Sequence, residues 1–297
     1  MKRLWLIGSG LLALTAPAFL GPFALYLLAE ILAWGLFASA FNLLFGYAGL
    51  LSLGHSAFFG TGAYLAVLGL SQGQPAALAL LSSVLGTTLL GLLLGLVLVR
   101  VPGHGFIALT LALAVIAHLL GVNLRGLTGG TDGLSITPPC SLSCRYLLNL
   151  GSLALSLWGL HRLLQTPLGL AFQLVRENPE RARSLGYDVR RIRLIAFIIS
   201  AGLSGLAGAL YLYTSGFVNP ELLNWPTAAG PLIWTLFGGT GTLTGPLLGT
   251  ILLLAAKDWL SARWPGGYPL LIGLLLILVV LFTPQGLVGT WREWRRG

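Results

Sequence analysis

The chain has 297 residues, of which 56% are hydrophobic and only 8% are charged, and its formal net charge is +9. A typical soluble domain contains about 25% charged residues, and a soluble fold of this composition would expose large apolar patches. The composition therefore excludes an ordinary soluble domain. The apolar runs are long and continuous, whereas a transmembrane barrel would show alternating segments of about ten residues. We predict an all-α, polytopic transmembrane helical bundle that forms a single domain over 1–297.

The apolar runs predict about 8–10 membrane spans, since a crossing helix needs about 20 apolar residues. The first run follows a pair of basic residues and resembles a signal peptide. The next run begins almost at once, so we interpret the first as a retained span. The predicted spans are 4–20, 23–45, 57–70, 76–99, 104–122, 146–165, 194–214, 230–256 and 268–284.

Two glycine-rich segments interrupt the apolar pattern, FGYAGLLSLG at 45–54 and FGGTGTLTG at 237–245. Both read Phe-Gly-x-x-Gly-x-Leu, followed by Ser52 in one and Thr244 in the other. With 41 glycines in the chain, coincidence explains this echo as well as an internal two-fold repeat does. A repeat would place discontinuous helices at corresponding positions of two halves, and in transporters such helices mark the substrate route.

The loop 123–145 contains the only two cysteines of the chain, Cys140 and Cys144. Two thiols in a loop without histidine cannot supply the four ligands of a structural zinc site, so we predict no metal site. In an oxidising compartment the pair could form a small disulfide loop. Two unpaired thiols are the alternative.

The segment 176–193 holds nine charged residues, six of which are arginine. A charge at the centre of a bilayer costs about 3 kcal/mol on insertion scales, so this segment must lie in water. We interpret it as part of a cytoplasmic loop at about 166–193, where the membrane domain meets a soluble partner.

Lysine and arginine gather mainly in segments that would be cytoplasmic if this loop is, as the positive-inside rule expects, while Lys257 and Arg263 fall outside as a mild violation. Both termini then face the cytoplasm, provided that 230–256 enters and leaves the membrane on one face. The net positive charge therefore indicates topology, and without a basic stripe of interleaved aromatic residues we expect no nucleic-acid partner. The other basic residues placed inside are Lys2, Arg3, Arg100, Arg292, Arg295 and Arg296.

The sequence offers little that indicates an enzyme. The four histidines form no H-x-x-x-H pair, and GGTGTLTG lacks the lysine of a phosphate-binding loop. Glu30 is the only acid clearly within a predicted span, whereas ion-coupled carriers usually have ionisable groups inside the membrane. We therefore predict no catalytic residue and no cofactor in this chain, and a transporter of this kind needs energy from elsewhere. A stand-alone secondary carrier and, less favoured, a membrane enzyme are alternatives of other classes.

A short helix is predicted at about 179–185 within the charged segment. Asn178 suits an N-cap, Pro179 the first helical position, and Glu180 the positive end of the helix dipole. Gly186 stands where a left-handed residue ends a helix. Ala182 and Leu185 would then give the helix a small apolar face for a partner, although a basic loop that only fixes topology is an equal alternative.

Three motifs occur in the order typical of one known family. They are FNLLFGYAGLLSLGHSAFFGTGAY at 41–64, TGGTDGL at 128–134, and RENPERARSLGYDV from 176, which is followed by AFIISAGLSGLAGAL and FGGTGTLTGPLLGT. Together they resemble the permeases of branched-chain amino acid ABC transporters. The resemblance extends from about 41 to 289. Leu50 departs from the family pattern, in which glutamine is common, and Pro179 stands where glutamate is common.

The resemblance implies a membrane subunit of a bacterial importer in the plasma (inner) membrane. Its partners would be a second, homologous permease, two ATPase subunits that bind ATP and magnesium, and an extracytoplasmic substrate-binding protein. The substrate would be a branched-chain or other hydrophobic amino acid, with urea or short amides as alternatives.

The resemblance also assigns roles to residues of this chain. The predicted coupling residues, which would contact an ATPase subunit, are Arg176, Glu177, Asn178, Glu180, Ala182, Leu185 and Gly186. The predicted path residues, which we place near the translocation route, are Gly46, Gly49, Ser52, Gly54, His55, Gly238, Gly239 and Gly241.

Overall fold

The computed structural model describes residues 15–101, 103–264, 270, 273–274, 277 and 286–294. After a helical turn at 15–19, helices account for most of the described chain. They are α1 Pro22–Asn42, α2 His55–Ser71, α3 Ala76–Leu98, α4 His104–Asn123, α5 Leu142–Leu164, α6 Pro167–Glu177, α7 Pro179–Ser184, α8 Val189–Ser215, α9 Trp225–Gly238, α10 Gly245–Arg263 and α11 Gly286–Trp294.

The remaining described elements are short. A π-helical turn, Leu43–Tyr47, extends α1, and a helical turn at Arg125–Thr128 follows α4. Strand β1, Leu134–Ser135, pairs antiparallel with β2, Phe217–Val218. Two 3₁₀ turns lie at Gly130–Asp132 and Pro220–Leu223.

The predicted all-α membrane class is confirmed. Among the described residues, four helical segments are long and apolar enough to cross a membrane: Pro22–Tyr47, Ala76–Leu98, His104–Asn123 and Val189–Ser215. Helix α5 also has 23 residues but is less apolar, and α2 has 17. Most of the predicted spans 4–20 and 268–284 lies outside the described residues, as do Lys2, Arg3, Arg295 and Arg296.

Both predicted discontinuities are confirmed. Residues 48–54 between the π-helical turn and α2 are not helical, and 239–244 separate α9 from α10. The predicted span 230–256 accordingly contains parts of two helices, one on each side of the second break.

The segment 166–193, predicted as a cytoplasmic loop with one short helix, is largely helical. The segment contains α6, α7 and the first residues of α8, which begins five residues before the predicted start of span 194–214. A side-chain cap fixes this early start of α8, because Asp188 Oδ1 accepts hydrogen bonds at 3.1 Å from the backbone N–H groups of Arg190 and Arg191.

Small residues allow the central helices to approach closely. A Cβ atom at Gly208 of α8 would overlap the carbonyl oxygen of Phe59 in α2, and one at Gly62 would overlap the carbonyl of Gly205. Such contacts are typical of membrane helices, whose association depends on close packing rather than on exclusion of water. Helices α2 and α8 thereby form the centre of the bundle.

A second group of contacts fixes the arginine-rich segment to this centre. Phe172 and Val175 of α6 and Ala182 of α7 are fully buried, in one cluster with Leu43 and Leu44 of the π-helical turn. The segment predicted to meet a partner is thus packed against the first glycine-rich break.

Candidate translocation and coupling site

The two glycine-rich breaks lie against each other, joined by a side chain that the sequence analysis did not select. Asn42, at the end of α1, is 2% exposed. Its Nδ2 donates to the carbonyl of Thr242 at 2.9 Å, and its Oδ1 accepts from the N–H of Gly241 at 3.0 Å. Asn42 therefore satisfies two backbone groups that have no helical partner in the second break.

The two breaks also share a backbone feature. Gly49 and Gly241 occupy the same place in the repeated motif, and both have left-handed φ angles, +73° and +68°. Close packing accompanies this geometry, because a Cβ atom at Gly46 would lie 2.6 Å from the backbone nitrogen of Gly241. The local similarity agrees with an internal repeat of the two segments, while a two-fold repeat of the whole chain stays a prediction.

Arg176 of α6 contacts both breaks. Its Nη1 donates to the carbonyl of Gly46. A Cβ atom at Gly49 would lie 3.1 Å from the Arg176 Cα, and one at Gly241 would lie 2.6 Å from its Nη1. A residue from the predicted coupling group and three from the predicted path group are thus brought together.

A cavity of about 310 Å³ lies beside this junction. Tyr47, Gln173, Arg176, Glu177 and Gly241 line it. It contains members of both predicted groups, at the end of the bundle that carries the arginine-rich segment. The predicted path residues Gly46, Gly49 and Gly241 therefore lie at this end of the bundle.

The short predicted helix is confirmed as α7, which ends one residue earlier than expected. The side-chain oxygen of Asn178 accepts from the N–H of Arg181 at 2.9 Å, as an N-cap does. Glu180 forms an ion pair with Arg183. Gly186 has the left-handed φ angle of +84° that was expected after the helix end.

The predicted apolar face of this helix is wrong. Ala182 is fully buried in the chain's own core, whereas Leu185 is 61% exposed. Ala182 therefore anchors α7 to the bundle, and its side chain is not available to a partner in this structure. Leu185 is the exposed apolar side chain of the predicted coupling group.

Ser52 and His55 lie in the interior of the described structure. Both are fully buried, and His55 Nδ1 and Nε2 are each 2.8 Å from a hydroxyl, of Ser52 and Ser200 respectively. The Ser200 hydroxyl donates to the carbonyl of Ala40 at 2.6 Å, so it accepts from Nε2–H. Nδ1 of the neutral ring then accepts from Ser52.

Three phenylalanine rings surround this hydrogen-bonded chain. Phe41, Phe58 and Phe197 approach the His55 ring at centroid distances of 5.6–5.9 Å, with their planes nearly perpendicular to it. His55 therefore joins α2 to α1 and α8 in this structure, and its role in translocation stays a prediction.

The other predicted path residues are packing positions. A Cβ atom at Gly54 would lie 2.5 Å from the carbonyl oxygen of Thr110, and one at Gly238 would overlap that of Gly245. The carbonyl of Gly239 accepts from the Thr242 hydroxyl at 2.8 Å. Gly54 thus allows the start of α2 to approach α4, and Gly238 allows α9 and α10 to form a tight helical hairpin around the second break.

A cluster of aromatic residues near Glu30 was also missed by the sequence analysis. Trp34 Nε1 donates to the Glu30 carboxylate at 3.2 Å. The Trp34 ring stacks on Phe59 at 4.7 Å and meets the edge of Trp234 at 5.6 Å. Regular i, i+4 spacing of Glu30 and Trp34 on α1 was the available signal. No sequence signal was available for the contacts of Trp34 with α2 and α9.

The cysteines lie far from this site along the chain. Cys140 and Cys144 are joined by a disulfide bond, with Cα atoms 5.9 Å apart, just before and within the first turn of α5. No group of three His, Cys, Asp or Glu side chains within the described residues could hold a metal ion.

Comparison with known proteins decides the family. Residues 23–281 match the family described as branched-chain amino acid transport system, permease component. The chain belongs to this permease family. The resemblance predicted from the motifs is thereby confirmed.

Similar proteins include permeases named LivM and permeases named LivH. The high-affinity branched-chain amino acid transport system permease protein LivM of Escherichia coli (strain K12) is 33% identical over 279 residues, covering 83% of this chain and 65% of the relative. The LivH protein of the same strain is 30% identical over 125 residues, covering 41% of this chain and 40% of the relative. A probable LivM of Methanocaldococcus jannaschii is 28% identical over 141 residues, covering 43% and 41%.

The chain thus spans 65% of the length of the Escherichia coli LivM protein that it matches. No solved structure matches the chain.

Proposed function

We propose that this chain is the membrane subunit of an ABC importer for branched-chain amino acids. Two separate ATPase subunits hydrolyse ATP with magnesium, a second homologous permease completes the membrane part, and an extracytoplasmic binding protein delivers the substrate. The permease family and the LivM relatives support this proposal. The chain lies in the bacterial plasma membrane with both termini in the cytoplasm.

The observation that carries the proposal is the contact of Arg176 with both breaks. Arg176 lies one residue before the end of α6, the helix that leads into α7, and its Nη1 donates a hydrogen bond to the carbonyl of Gly46 beside Gly241. A displacement of α6 and α7 by an ATPase subunit would therefore act directly on both discontinuous segments. We assign these segments the role of an inner gate, which opens when Arg176 moves.

The exposed parts of α7 supply the contact with the ATPase subunit. Leu185 offers an apolar side chain, and Glu180 and Arg183 offer charges of both signs. The core packing of Ala182 ensures that α7 and the bundle move together. Such a rigid, capped helix transmits a displacement, whereas a flexible basic loop would absorb it.

Reconstitution in proteoliposomes tests the function. Purified chain, second permease, ATPase subunits and binding protein should take up leucine, isoleucine or valine when ATP is supplied on the ATPase side, and urea should not compete. Uptake by the isolated chain driven by a proton gradient would identify a secondary carrier instead. Competition by urea or acetamide would instead identify urea or short amides as the substrate class.

A further inference from the structure

A second cavity, of about 350 Å³, lies between the end of α3 and the start of α8, apart from the paired breaks. Its lining is basic. The charged lining residues are Arg100, Arg183, Arg190, Arg193 and Asp188, and the others are Val99, Tyr187 and Val189.

The acids near this cavity are already engaged. Asp188 caps α8 and forms an ion pair with Arg191 at 2.9 Å, and Glu180 pairs with Arg183. Within the described residues, no ion pair compensates Arg100, Arg190 or Arg193. Three guanidinium groups with uncompensated charge therefore face one cavity.

The polar contacts of these arginines leave donors unused. Arg100 Nε and Arg190 Nη2 both donate to the carbonyl of Leu96, at 2.8 and 3.3 Å. Arg193 Nε is buried and has no hydrogen-bond partner among the described residues. Converging guanidinium groups with free N–H donors suit an oxyanion, and they bind phosphate with two parallel hydrogen bonds.

The surroundings of the cavity indicate where this anion comes from. Exposed apolar side chains run along α3 toward Arg100, and Leu89, Leu93 and Val97 are each 57–63% exposed. A helix advances about 1.5 Å per residue, so this apolar face extends over more than two turns before the arginines. An acyl chain lying along the face would bring its head group to the cavity.

We propose that this cavity binds the phosphate of an anionic phospholipid, with phosphatidylglycerol as the representative. Arg100, Arg190 and Arg193 hold the phosphate oxygens, and the exposed apolar face of α3 holds the acyl chains. Basic pockets between helices at the cytoplasmic side are typical of anionic lipid sites. The inference rests on the membrane class of the chain and not on the proposed transport function.

Native mass spectrometry of the delipidated full chain in detergent tests the proposal. Phosphatidylglycerol should bind with about tenfold higher affinity than phosphatidylethanolamine, and the Arg190→Gln/Arg193→Gln variant should lose that preference. Arg162→Gln is the matched control, because Arg162 lies over Trp158 on α5, outside the cavity. It removes one charge and should leave the preference unchanged.

Further measurements distinguish a phospholipid from a soluble phosphate or an acidic protein surface in this cavity. Arg190→Lys/Arg193→Lys preserves the charge and should retain the lipid preference. This variant takes the place of the glutamine variant if the glutamine variant does not fold, and loss of the preference in it would contradict a site that depends on positive charge. Inorganic phosphate should not displace the lipid, and displacement would indicate a soluble phosphate site. Equal phosphatidylglycerol binding by wild type and the folded glutamine variant would overturn the proposal. If the glutamine variant lost association with the ATPase subunit but kept its lipid preference, the proposal would also be overturned, and the cavity would instead face an acidic protein surface.

Discussion

The guanidinium group of Arg176 is hydrogen-bonded to the backbone carbonyl of Gly46, which lies 130 positions earlier in the chain. Arg176 is the last basic residue of α6, one residue before that helix ends, and Gly46 lies in a π-helical turn. Single π-helical turns within helices are frequent at functional sites. The bond joins the segment that we propose to contact an ATPase subunit to the segment that we propose to act as a gate.

Gly49 should be sensitive to a methyl group for two separable reasons. Gly49→Ala forces a left-handed φ angle on a residue with a Cβ atom, which costs about 1–2 kcal/mol, and places that Cβ 3.1 Å from the Arg176 Cα. Gly73→Ala is the matched control, since Gly73 has φ +77° and no atom within 4 Å of its Cβ position. We expect Gly49→Ala to lose at least as much stability on thermal unfolding as Gly73→Ala, and only Gly49→Ala to lose ATP-driven uptake. Equal uptake by both variants would contradict the contact.

Asn42 should support the gate through its two bonds to the second break. Asn42→Ala leaves the N–H of Gly241 and the carbonyl of Thr242 without partners, at a cost of about 1–3 kcal/mol for each buried group. Asn149→Ala removes another buried amide, which donates to Ala29 and Thr214 away from the breaks. Both variants should unfold at lower temperature, while ATP hydrolysis should be uncoupled from uptake only in Asn42→Ala. Coupled transport by Asn42→Ala would show that the link between the breaks is structural alone.

Leu185 should matter for the ATPase contact and not for folding. Because Leu185 is 61% exposed, Leu185→Ser should leave the thermal unfolding of the chain unchanged. We expect Leu185→Ser to recover less ATPase subunit on co-purification. Leu127→Ser is the control, because Leu127 is 56% exposed and follows the C-terminal end of α4, and it should recover the wild-type amount. Glu180→Gln should also lower the recovery of ATPase subunit. It should leave the stability of the chain nearly unchanged, because its exposed ion pair contributes only about 0–1 kcal/mol. Wild-type recovery in both α7 variants would remove α7 from the interface.

The disulfide can be tested by thiol labelling in intact cells. Cys140 and Cys144 should react with a maleimide only after treatment with a reductant. Cys140→Ser/Cys144→Ser should still transport, because closing a loop of only a few residues constrains the unfolded chain little. Equal labelling with and without reductant would show free thiols.

The sequence predicts those features of the site that depend on neighbouring residues. The cap at Asn178, the start of α7 at Pro179 and its end before Gly186 were all predicted, because each depends on a few adjacent side chains. The start of α8 was missed, although Asp188 is a suitable N-cap, because three arginines just beyond it favoured a loop. Charge alone does not decide between a loop and a helix that extends beyond the membrane.

Features that depend on tertiary contacts were not predictable in the same way. Asn42 and Thr242 are 200 positions apart, and no periodicity in the sequence pairs them. Ala182 and Leu185 are three positions apart, a spacing that favours one helix face, yet Ala182 is buried in the core cluster that contains Val175, whereas Leu185 is exposed. The burial of His55 likewise depends on Ser200, which is 145 positions away.

The ratio of substrate transported to ATP hydrolysed in the Arg176→Gln variant tests the central claim most directly. Arg176→Gln shortens the side chain and removes its charge, so the bond to the Gly46 carbonyl should be lost while α7 and Leu185 stay in place. Arg181→Gln, on the exposed side of α7, is the control. We predict that Arg176→Gln assembles with the ATPase subunits and hydrolyses ATP, but that its uptake per ATP falls about tenfold, equivalent to about 1.4 kcal/mol of coupling. A wild-type ratio in Arg176→Gln would contradict the account.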